Sequence, residues 1–268
     1  MPTRTPVVAG QFYPSRKMSL EKELSNLTKK SQIREKVYGA IVPHAGYVYS
    51  GGVAGEVFSR LAPSELYVIL GPNHTGRGKA FSVFSEGDWD TPLGSVEIDS
   101  DFAAYLISNS SLYKKDSSAH SLEHSIEVQL PFLQHLMKDF KILPICVGGA
   151  DLEDLKRASS ELAKALQDSK KNVTIIASTD MTHYEPHNVA KAKDMEALTA
   201  ILKMDEDGLW KKVNEMNISM CGIAPVIMML RAAKNLGAKS AELVDYKTSG
   251  DTSGDYSSVV GYAGVLIK

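Results

Sequence analysis

The stretch Asn172–His187, NVTIIASTDMTHYEPH, decides the fold that we predict for this chain of 268 residues. Its first part, Val173–Ala177, is almost wholly apolar and rich in β-branched residues, which is typical of a central strand covered on both faces of a parallel sheet. A polar segment, Ser178–His187, follows directly. Because ligands bind at the carboxyl ends of strands in open α/β sheets, this segment is expected to line a functional site.

Two further apolar runs end in the same way, with a histidine between proline and glycine residues. Val37–Val42 leads to His44, and Leu66–Leu70 leads to His74. A helix predicted over Val53–Leu61 would connect them, and such βαβ units are nearly always right-handed, so both strands end at the same edge of the sheet. The sequence therefore predicts an α/β fold with a mixed, mostly parallel central sheet flanked by helices, in which these histidines converge.

The remaining elements are predicted from apolar periodicity and from capping residues. Helices are expected at Pro14–Lys30, Asp99–Asn109, Ser121–Met137, Asp151–Leu166, Asn188–Lys203, Glu206–Met216 and Ile223–Leu236. Strands are expected at Phe81–Phe84, Gly94–Ile98, Ile142–Val147, Ala241–Tyr246 and Val259–Ile267. We expect a loop containing Trp89, Asp90 and Pro92 between the first two of these strands, which would extend the sheet in antiparallel fashion.

Composition and charge exclude several classes of protein. The chain has no change in composition, linker or repeat, so we expect one domain over residues 1–268. A net charge of -2 from interspersed charged residues is not the electrostatic pattern of a nucleic-acid-binding protein or of one that binds anionic membranes. The N-terminus lacks the apolar core of a signal peptide, and no apolar run approaches the roughly 18 residues of a membrane helix. A cytoplasmic location is the resulting expectation.

His44 and His74 are the strongest candidates for metal ligands, because a metal site needs neutral imidazoles held rigidly by different elements. The third candidate is Cys221, which directly precedes the helix predicted at Ile223–Leu236. We expect the helix dipole to lower its pKa and to favour the thiolate, which binds metals and acts as a nucleophile. Cys146 lies within an apolar strand and is expected to be an unreactive core residue.

Asp180 and His183 form a D-x-x-H pair in the polar segment after the first strand. Three-residue spacing on a turn allows both side chains to face one side. One of them could then bind a metal while the other transfers a proton.

Three common catalytic motifs are absent from the sequence. His120 and His124 lie one helical turn apart, but the intervening residues do not form HExxH. The chain also lacks the P-loop and the G-x-S-x-G motif of serine hydrolases. We expect Glu123 and His124 to line the cleft, with His120 a weaker candidate ligand.

Several motifs together resemble those of one protein family. They are VAGQFYP (Val8–Pro14), VPHAGYVYSG (Val42–Gly51), LGPNHTG (Leu70–Gly76), EHSIEVQLPFLQ (Glu123–Gln134), STDMTHY (Ser178–Tyr184), MCGIAP (Met220–Pro225), TSGD (Thr248–Asp251) and VVGYA (Val259–Ala263). In this order they resemble the Memo family, which occurs in bacteria, archaea and eukaryotes. That family is similar in fold to the class III extradiol dioxygenases of LigB type, which are non-haem iron enzymes.

The resemblance implies that His44, His74 and Cys221 bind the metal and that Asp180 and His183 lie beside it. In the dioxygenases the iron is held by two histidines and a glutamate, and a further histidine acts as acid and base. Cys221 takes the place of that glutamate here, and His183 takes the place of the base. Because a thiolate is a softer ligand than a carboxylate, copper and zinc are candidates besides iron.

Three functional hypotheses follow from these residues. The first is a metal-dependent oxidoreductase that uses iron or copper, in which His183 transfers protons, Asp180 orients His183 or binds the metal, and Tyr47, Tyr49 and Glu123 line the cleft. The second is a binding module for a peptide or a modified side chain, and the third is a zinc-dependent hydrolase. The ligand would be a small molecule or a peptide, and the resemblance implies a functional link to radical-SAM and AMMECR-type proteins.

Overall fold

The computed structural model describes residues 2–29 and 33–268, along which strands and helices alternate. The strands are β1 (Thr3–Arg4), β2 (Gly39–Val42), β3 (Leu66–Pro72), β4 (Phe81–Val83), β5 (Asp88–Thr91), β6 (Gly94–Glu97), β7 (Lys114–Lys115), β8 (Lys141–Val147), β9 (Val173–Ser178), β10 (His183–Glu185), β11 (Ala241–Thr248) and β12 (Val259–Ile267). The helices are α1 (Lys17–Leu27), α2 (Tyr47–Arg60), α3 (Ser100–Ser108), α4 (Leu130–Leu136), α5 (Leu152–Ser169), α6 (His187–Leu202), α7 (Glu206–Glu215), α8 (Ile223–Leu236) and α9 (Gly250–Ser253).

The larger sheet has the strand order β10-β12-β2-β9-β3-β8-β4-β7, and β11 also pairs with β12. Its central strands β2, β9, β3 and β8 are parallel, whereas β12 and β4 run antiparallel beside them. The register places Val42 opposite Ser178 and Leu70 opposite Ala177. The carboxyl ends of β2, β9 and β3 therefore lie side by side, and the predicted mixed α/β sheet is confirmed.

Both faces of the central strands are buried. Ile175 and Ala177 of β9 pack into the core that contains α5 and α8 residues, whereas Ile176 packs into the core formed with α1, α2 and α4. A strand covered on both faces favours apolar residues on both sides, which explains the unbroken apolar run Ile175–Ala177; the buried Thr174 satisfies its hydroxyl by a hydrogen bond with Ser64. Burial of the Ile175 and Ile176 side chains contributes about 1.5–3 kcal/mol each to the free energy of unfolding.

Most of the predicted helices are confirmed to within a few residues. Helix α8 has the predicted bounds and ends at Gly237, whose φ of 110° is the left-handed conformation that favours glycine at this position. Asp99 caps α3 as predicted, because its side chain accepts a hydrogen bond from the Phe102 N–H. The helix predicted over Pro14–Lys30 corresponds to α1, and Lys30 lies outside the described residues. Among residues 2–29 and 33–268, no helix has the length and apolar character needed to cross a bilayer.

The helix predicted over Ser121–Met137 is wrong for its first half. Two short 3₁₀ turns, Ser118–His120 and Glu127–Gln129, precede α4, which begins only at Leu130. Several polar groups of this segment bind to distant parts of the chain. Glu127 accepts hydrogen bonds from the Arg4 guanidinium, the backbone N–H groups of Val7 and Val8, and the Tyr13 hydroxyl.

Two other predictions need correction. Helix α2 begins at Tyr47, six residues before the predicted start at Val53, because Gly51 and Gly52 continue the helix instead of preceding it. The predicted loop around Trp89 is instead strand β5, which pairs with β1 and β6 in a separate small sheet. Trp89 lies opposite Arg4 in this sheet, and the Arg4 guanidinium lies over its buried ring at 4.3 Å.

Candidate metal centre

Three chain segments bring His44, His74 and Cys221 together. His44 follows β2, His74 follows β3, and Cys221 precedes α8, whose first turn lies against the end of β9. One ligand atom from each residue lies within 4.8 Å of those of the other two. Nε2 of His44 lies 3.3 Å from Sγ of Cys221.

Gly222 allows α8 to approach the end of β9 closely. A Cβ atom at this position would lie 2.4 Å from the Ser178 carbonyl oxygen and 2.4 Å from the Thr179 Cβ, closer than real contacts allow. The Gly222 N–H donates a hydrogen bond of 2.9 Å to Oγ1 of Thr179, which satisfies one of the free N–H groups at the start of the helix. The neighbouring Cys221 is thereby carried to the edge of the sheet where the histidines lie.

His44 is buried and fixed at its backbone and ring. Its backbone N–H donates to Oδ1 of Asp180 at 2.8 Å, and its Nδ1 lies 2.9 Å from Oγ of Ser178. Burial, together with the neighbouring His124 and His74 rings, lowers the pKa of His44 well below its ordinary value. The ring is therefore neutral at neutral pH, the state in which imidazole binds a metal.

Glu123 orients His74. The fully buried carboxylate accepts a hydrogen bond of 2.9 Å from Nδ1 of His74 and one of 2.7 Å from its backbone N–H. Burial acts to lower the pKa of His74, but the hydrogen bond and the charge of Glu123 outweigh it and raise that pKa. With Nδ1 engaged by the carboxylate, Nε2 is the ring atom available to a ligand, as in many metal-binding histidines.

Glu123 also lies close to His74 and His124 in a second cluster of ligand-type side chains. Oε1 of Glu123 accepts hydrogen bonds from the backbone N–H groups of His124 and Ser125 in addition to Nδ1 of His74. Burial acts to raise the pKa of Glu123, yet these hydrogen bonds lower it to about 2. Because Oε1 is fully engaged, we assign Glu123 to the support of His74 and not to a second metal site.

The expectation that the helix would lower the pKa of Cys221 is wrong. Burial and the neighbouring Asp180 carboxylate raise the pKa of this thiol to about 12. The backbone N–H of Asp180 donates to Sγ of Cys221 at 3.3 Å. This hydrogen bond acts to lower the pKa of the thiol, but the effect of burial is larger. A metal ion would have to displace the thiol proton in order to bind.

Asp180 and His183 lie beside the cluster, but their hydrogen bonds go to different partners, and Asp180 does not hold His183 as the oxidoreductase hypothesis had it. The carboxylate of Asp180 accepts from the backbone of His44 and Ala45, and burial raises its pKa. Nδ1 of His183 lies 2.9 Å from the Ser219 carbonyl oxygen and must therefore carry a proton. Nε2 of His183 is left free to accept a proton. Asp180 thus supports His44 and Cys221 rather than His183.

The remaining predicted residues take different positions. The His124 ring stacks on that of His74 with centroids 4.8 Å apart and is nearly perpendicular to that of His44 with centroids 5.4 Å apart, so it joins the cluster. Tyr49 is exposed, whereas Tyr47 lies in the core, where its hydroxyl donates to the Val128 carbonyl oxygen. Tyr47 was expected to line the cleft, but as the first residue of α2 it packs its ring against Phe132.

His120 and Cys146 lie away from the cluster. Nε2 of His120 bonds to the Ser82 carbonyl oxygen, its ring packs against Trp89, and burial lowers its pKa to about 4. Cys146 is buried in β8, and burial raises the pKa of its thiol. The predicted core position of Cys146 is confirmed.

Ser178 and Gln129 support the site, although neither was singled out from the sequence: Ser178 lies in the polar segment that was expected to line the site, and Gln129 lies in the helix predicted over Ser121–Met137. Ser178 ends β9 and Gln129 lies in the 3₁₀ turn before α4, and both are fully buried. A polar residue at the end of an otherwise apolar strand was a signal for Ser178. Nothing in the local pattern indicated Gln129, because its partners, Pro43 and Ser178, are distant in sequence.

The donor atoms at this site fit a transition-metal ion. Ligand atoms bound to one ion lie about 3–4 Å apart, because metal–nitrogen and metal–sulfur bonds are about 2.0–2.3 Å long. The separation of 3.3 Å between His44 and Cys221 is of this size. Two imidazoles and one thiolate form a donor set that suits iron, copper and zinc. His44, His74 and Cys221 are the residues that would hold such an ion.

Comparison with known proteins identifies relatives along the whole chain. Residues 4–266 match the family described as Memo-like protein. A MEMO1 family protein of Methanosarcina barkeri is 47% identical over 267 residues, covering 99% of this chain and all of the relative. A MEMO1 family protein of Methanopyrus kandleri is 43% identical over 279 residues, covering 99% of each chain.

A solved structure shares the fold at low sequence identity. The crystal structure of an uncharacterised protein from Escherichia coli K12 superimposes with a TM-score of 0.58 and 12% identity, covering 86% of this chain and 99% of that one. At this level of identity the likeness concerns the fold alone. From the family match and the full-length relatives, we conclude that this chain belongs to the Memo-like protein family.

Proposed function

We propose that this protein binds one iron or copper ion through His44, His74 and Cys221 and acts as a non-haem redox protein on an organic substrate. The observation that carries the proposal is the convergence of the three ligand atoms within 4.8 Å of one another, at the edge of a parallel sheet where ligands commonly bind. The hydrogen bonds at Nδ1 of both histidines support it, because each leaves Nε2 available.

A bound iron or copper ion would supply electron transfer and polarisation of a substrate oxygen. The protein residues would provide the rest of the chemistry. Glu123 holds the His74 ring, Asp180 holds the His44 backbone, and the Asp180 N–H donates to the Cys221 sulfur. A hydrogen bond to a thiolate disperses part of its charge, which tunes the reduction potential of a metal–thiolate site.

His183 is the residue to which we assign proton transfer. Its Nδ1 is bonded to the Ser219 carbonyl oxygen, so Nε2 can accept a proton from a substrate hydroxyl and return it later. The charge of a protonated His183 would act on both His44 and Asp180, since it contributes to the pKa of each. His183 is partly exposed, which allows exchange of that proton with solvent.

A binding module without turnover is the second candidate. The observation that favours it is the exposed aromatic surface beside the site: Tyr184 is 78% exposed, and its ring lies 5.8 Å from that of His183. Exposed aromatic side chains of this kind are typical of surfaces that bind peptides or modified side chains. The ligand of such a module would be a peptide or a modified side chain.

The first test is elemental analysis of protein purified without a chelator or an affinity tag. We expect near-stoichiometric iron or copper in the wild type and its loss in the folded His44→Ala and Cys221→Ser variants. Cys146→Ser and His187→Ala are matched controls, because they change the same residue types outside the cluster and should retain the metal. Full metal occupancy in either site variant would overturn the ligand assignment.

A second measurement separates the functional candidates. Oxygen consumption by the metal-loaded protein would be followed with a panel of catechols and reductants. Consumption that Cys221→Ser abolishes supports the redox proposal. Zinc as the native metal would favour a hydrolase, and the failure to bind any metal after anaerobic reconstitution with Fe(II) or Cu(I) would favour the binding module.

A further inference from the structure

We propose that Ser178 is a positioning residue that, held by Gln129, selects the Nδ1–H tautomer of His44 and so directs the Nε2 lone pair towards Cys221. The inference deepens the proposed metal-binding function and rests on it for its biological meaning. The tautomer itself is a property of the protein alone and can be measured independently of any metal.

The hydrogen bonds of the Ser178 hydroxyl leave only one arrangement of protons. A hydroxyl donates once and accepts twice. Oγ of Ser178 lies 2.7 Å from the Ser125 carbonyl oxygen, which can only accept, so the hydroxyl proton points there. One lone pair accepts from Nε2 of Gln129 at 2.9 Å. The remaining lone pair faces Nδ1 of His44 at 2.9 Å, which must therefore donate.

The orientation of the Gln129 amide is determined by a second contact. Its Nε2 atom also lies 3.0 Å from the Pro43 carbonyl oxygen, an acceptor that would repel an amide oxygen in the same place. The Oε1 atom of Gln129 is buried and has no hydrogen-bond partner among residues 2–29 and 33–268. An unsatisfied buried oxygen is a cost to stability. The two hydrogen bonds that Nε2 donates therefore fix the orientation of the Gln129 amide, although they leave its Oε1 atom unsatisfied among the described residues.

The consequence for His44 is chemical. With the ring proton on Nδ1, Nε2 presents its lone pair towards Sγ of Cys221, 3.3 Å away. The opposite tautomer would place an N–H group at this position, where it would donate to the sulfur and block metal binding. Ser178 and Gln129 lie on different elements, β9 and the turn before α4, so the tautomer depends on how these elements pack.

The decisive experiment is NMR of the imidazole nitrogens in metal-stripped protein at a pH where His44 is neutral. Long-range ¹H–¹⁵N correlations distinguish the two tautomers directly. We expect the Nδ1–H form of His44 in the wild type and a shift towards the Nε2–H form in Ser178→Ala, because Nδ1 then loses its acceptor. Ser159→Ala is the matched control, since Ser159 is equally buried but bonds within α5 to the Leu155 carbonyl oxygen.

The affinity for Zn²⁺, measured by competition with a chelating dye, provides a second readout. We expect Ser178→Ala to weaken it about 10–100-fold, the usual effect of losing a residue that orients a metal-binding histidine. Ser159→Ala should leave it unchanged. Wild-type protein that binds no Zn²⁺, Fe(II) or Cu(I) would contradict the proposed function. The inference about the His44 tautomer would still be tested independently by NMR.

Two results would overturn the inference: an Nε2–H tautomer in the wild type, or an unchanged Nδ1–H tautomer in Ser178→Ala. If Ser178→Ala does not fold, Ser178→Cys takes its place. A thiol is a much weaker hydrogen-bond acceptor than a hydroxyl, so Nδ1 of His44 loses most of the advantage of carrying the proton. A population of the Nε2–H tautomer in Ser178→Cys supports the proposal, and a pure Nδ1–H form contradicts it.

Discussion

The sulfur of Cys221 lies 3.3 Å from Nε2 of His44, although 177 positions separate the two residues in the chain. The contact exists because β2 and β9 are parallel neighbours and the first turn of α8 packs against the end of β9. Hydrogen bonds between His44 and Ser178 and between Asp180 and Cys221 hold the two side chains in place. Changes to these supporting residues are therefore expected to alter metal affinity more than the stability of the fold.

Glu123→Gln should weaken metal binding at His74. The carboxylate now accepts hydrogen bonds from Nδ1 and from the backbone N–H of His74. The amide would present an NH₂ group to one of these two donors, so the ring of His74 would lose its fixed orientation. We expect the affinity for Zn²⁺ to fall about 10–100-fold. Titration calorimetry can measure the change, with Glu97→Gln, in an exposed pair with Lys141, as control. Equal affinities in wild type and Glu123→Gln would show that the carboxylate does not support the site.

Arg4→Met should strongly destabilise the protein. The Arg4 guanidinium is buried against the Glu127 carboxylate and also donates to the carbonyl oxygens of His120 and Glu123. Removal of one partner leaves the other charge buried, and we expect the free energy of unfolding to fall by about 3–5 kcal/mol. Urea denaturation of wild type and Arg4→Met measures this change in the free energy of unfolding. The control is Lys211→Met, which removes an exposed ion pair with Glu215 and should cost less than about 1 kcal/mol.

Glu206 should make stability depend on pH. Burial acts to raise its pKa, but the hydrogen bonds and charges of Lys234 and Arg231 lower it below the ordinary value of 4.5. A carboxyl group whose pKa is lower in the folded state stabilises the protein fully above its unfolded pKa, and this stabilisation is lost as the pH falls through the folded pKa. The Tm of Glu206→Gln should therefore lie below that of wild type at pH 7, and the difference should shrink in acid.

Thermal unfolding of both proteins between pH 7 and pH 3 checks this prediction. Glu215→Gln serves as a control, because Glu215 forms an exposed ion pair in the same helix and should change the Tm little. A difference between wild type and Glu206→Gln that stays constant or grows towards low pH would contradict the assignment.

Tyr184→Gly should be more stable than Tyr184→Ala. Tyr184 has a φ of 58°, a left-handed conformation that strains residues with a Cβ atom, and its side chain is 78% exposed, so little burial is lost in either variant. Glycine removes the backbone strain of about 1–2 kcal/mol. Part of this stabilisation is offset because glycine gives the unfolded chain greater conformational entropy. We expect a net advantage of roughly 0.5–1 kcal/mol over alanine by thermal denaturation. A less stable glycine variant would show that the backbone is unstrained here.

Much of the site could be anticipated because its ligands lie at positions marked by the local sequence. Apolar runs identified β2, β3 and β9, and the residues directly after the strands include His44, His74 and Asp180. The boundary between polar and apolar residues also placed Cys221 at the start of α8. The periodicity and composition of a short stretch determine such features, since burial on both faces of a strand favours a continuous apolar run.

The supporting contacts could not be anticipated in this way. The segment before α4 has the apolar spacing of a helix, yet Glu123 bonds to His74 and Glu127 bonds to Arg4, so 3₁₀ turns replace the expected helix. The core position of Tyr47 depends in a similar way on a residue distant in sequence, because its hydroxyl donates a hydrogen bond to the Val128 carbonyl oxygen.

By itself, the sequence determined the α/β fold, the strand ends and the residues with metal-binding chemistry, because these depend on side-chain type and local periodicity. Only the tertiary structure decided which ring nitrogen of each site histidine carries the proton and how Glu123, Ser178 and Gln129 are oriented. It also decided that burial raises the pKa of Cys221. These properties depend on hydrogen bonds between segments far apart in the chain and on the loss of solvent when the segments pack, and no local pattern encodes either.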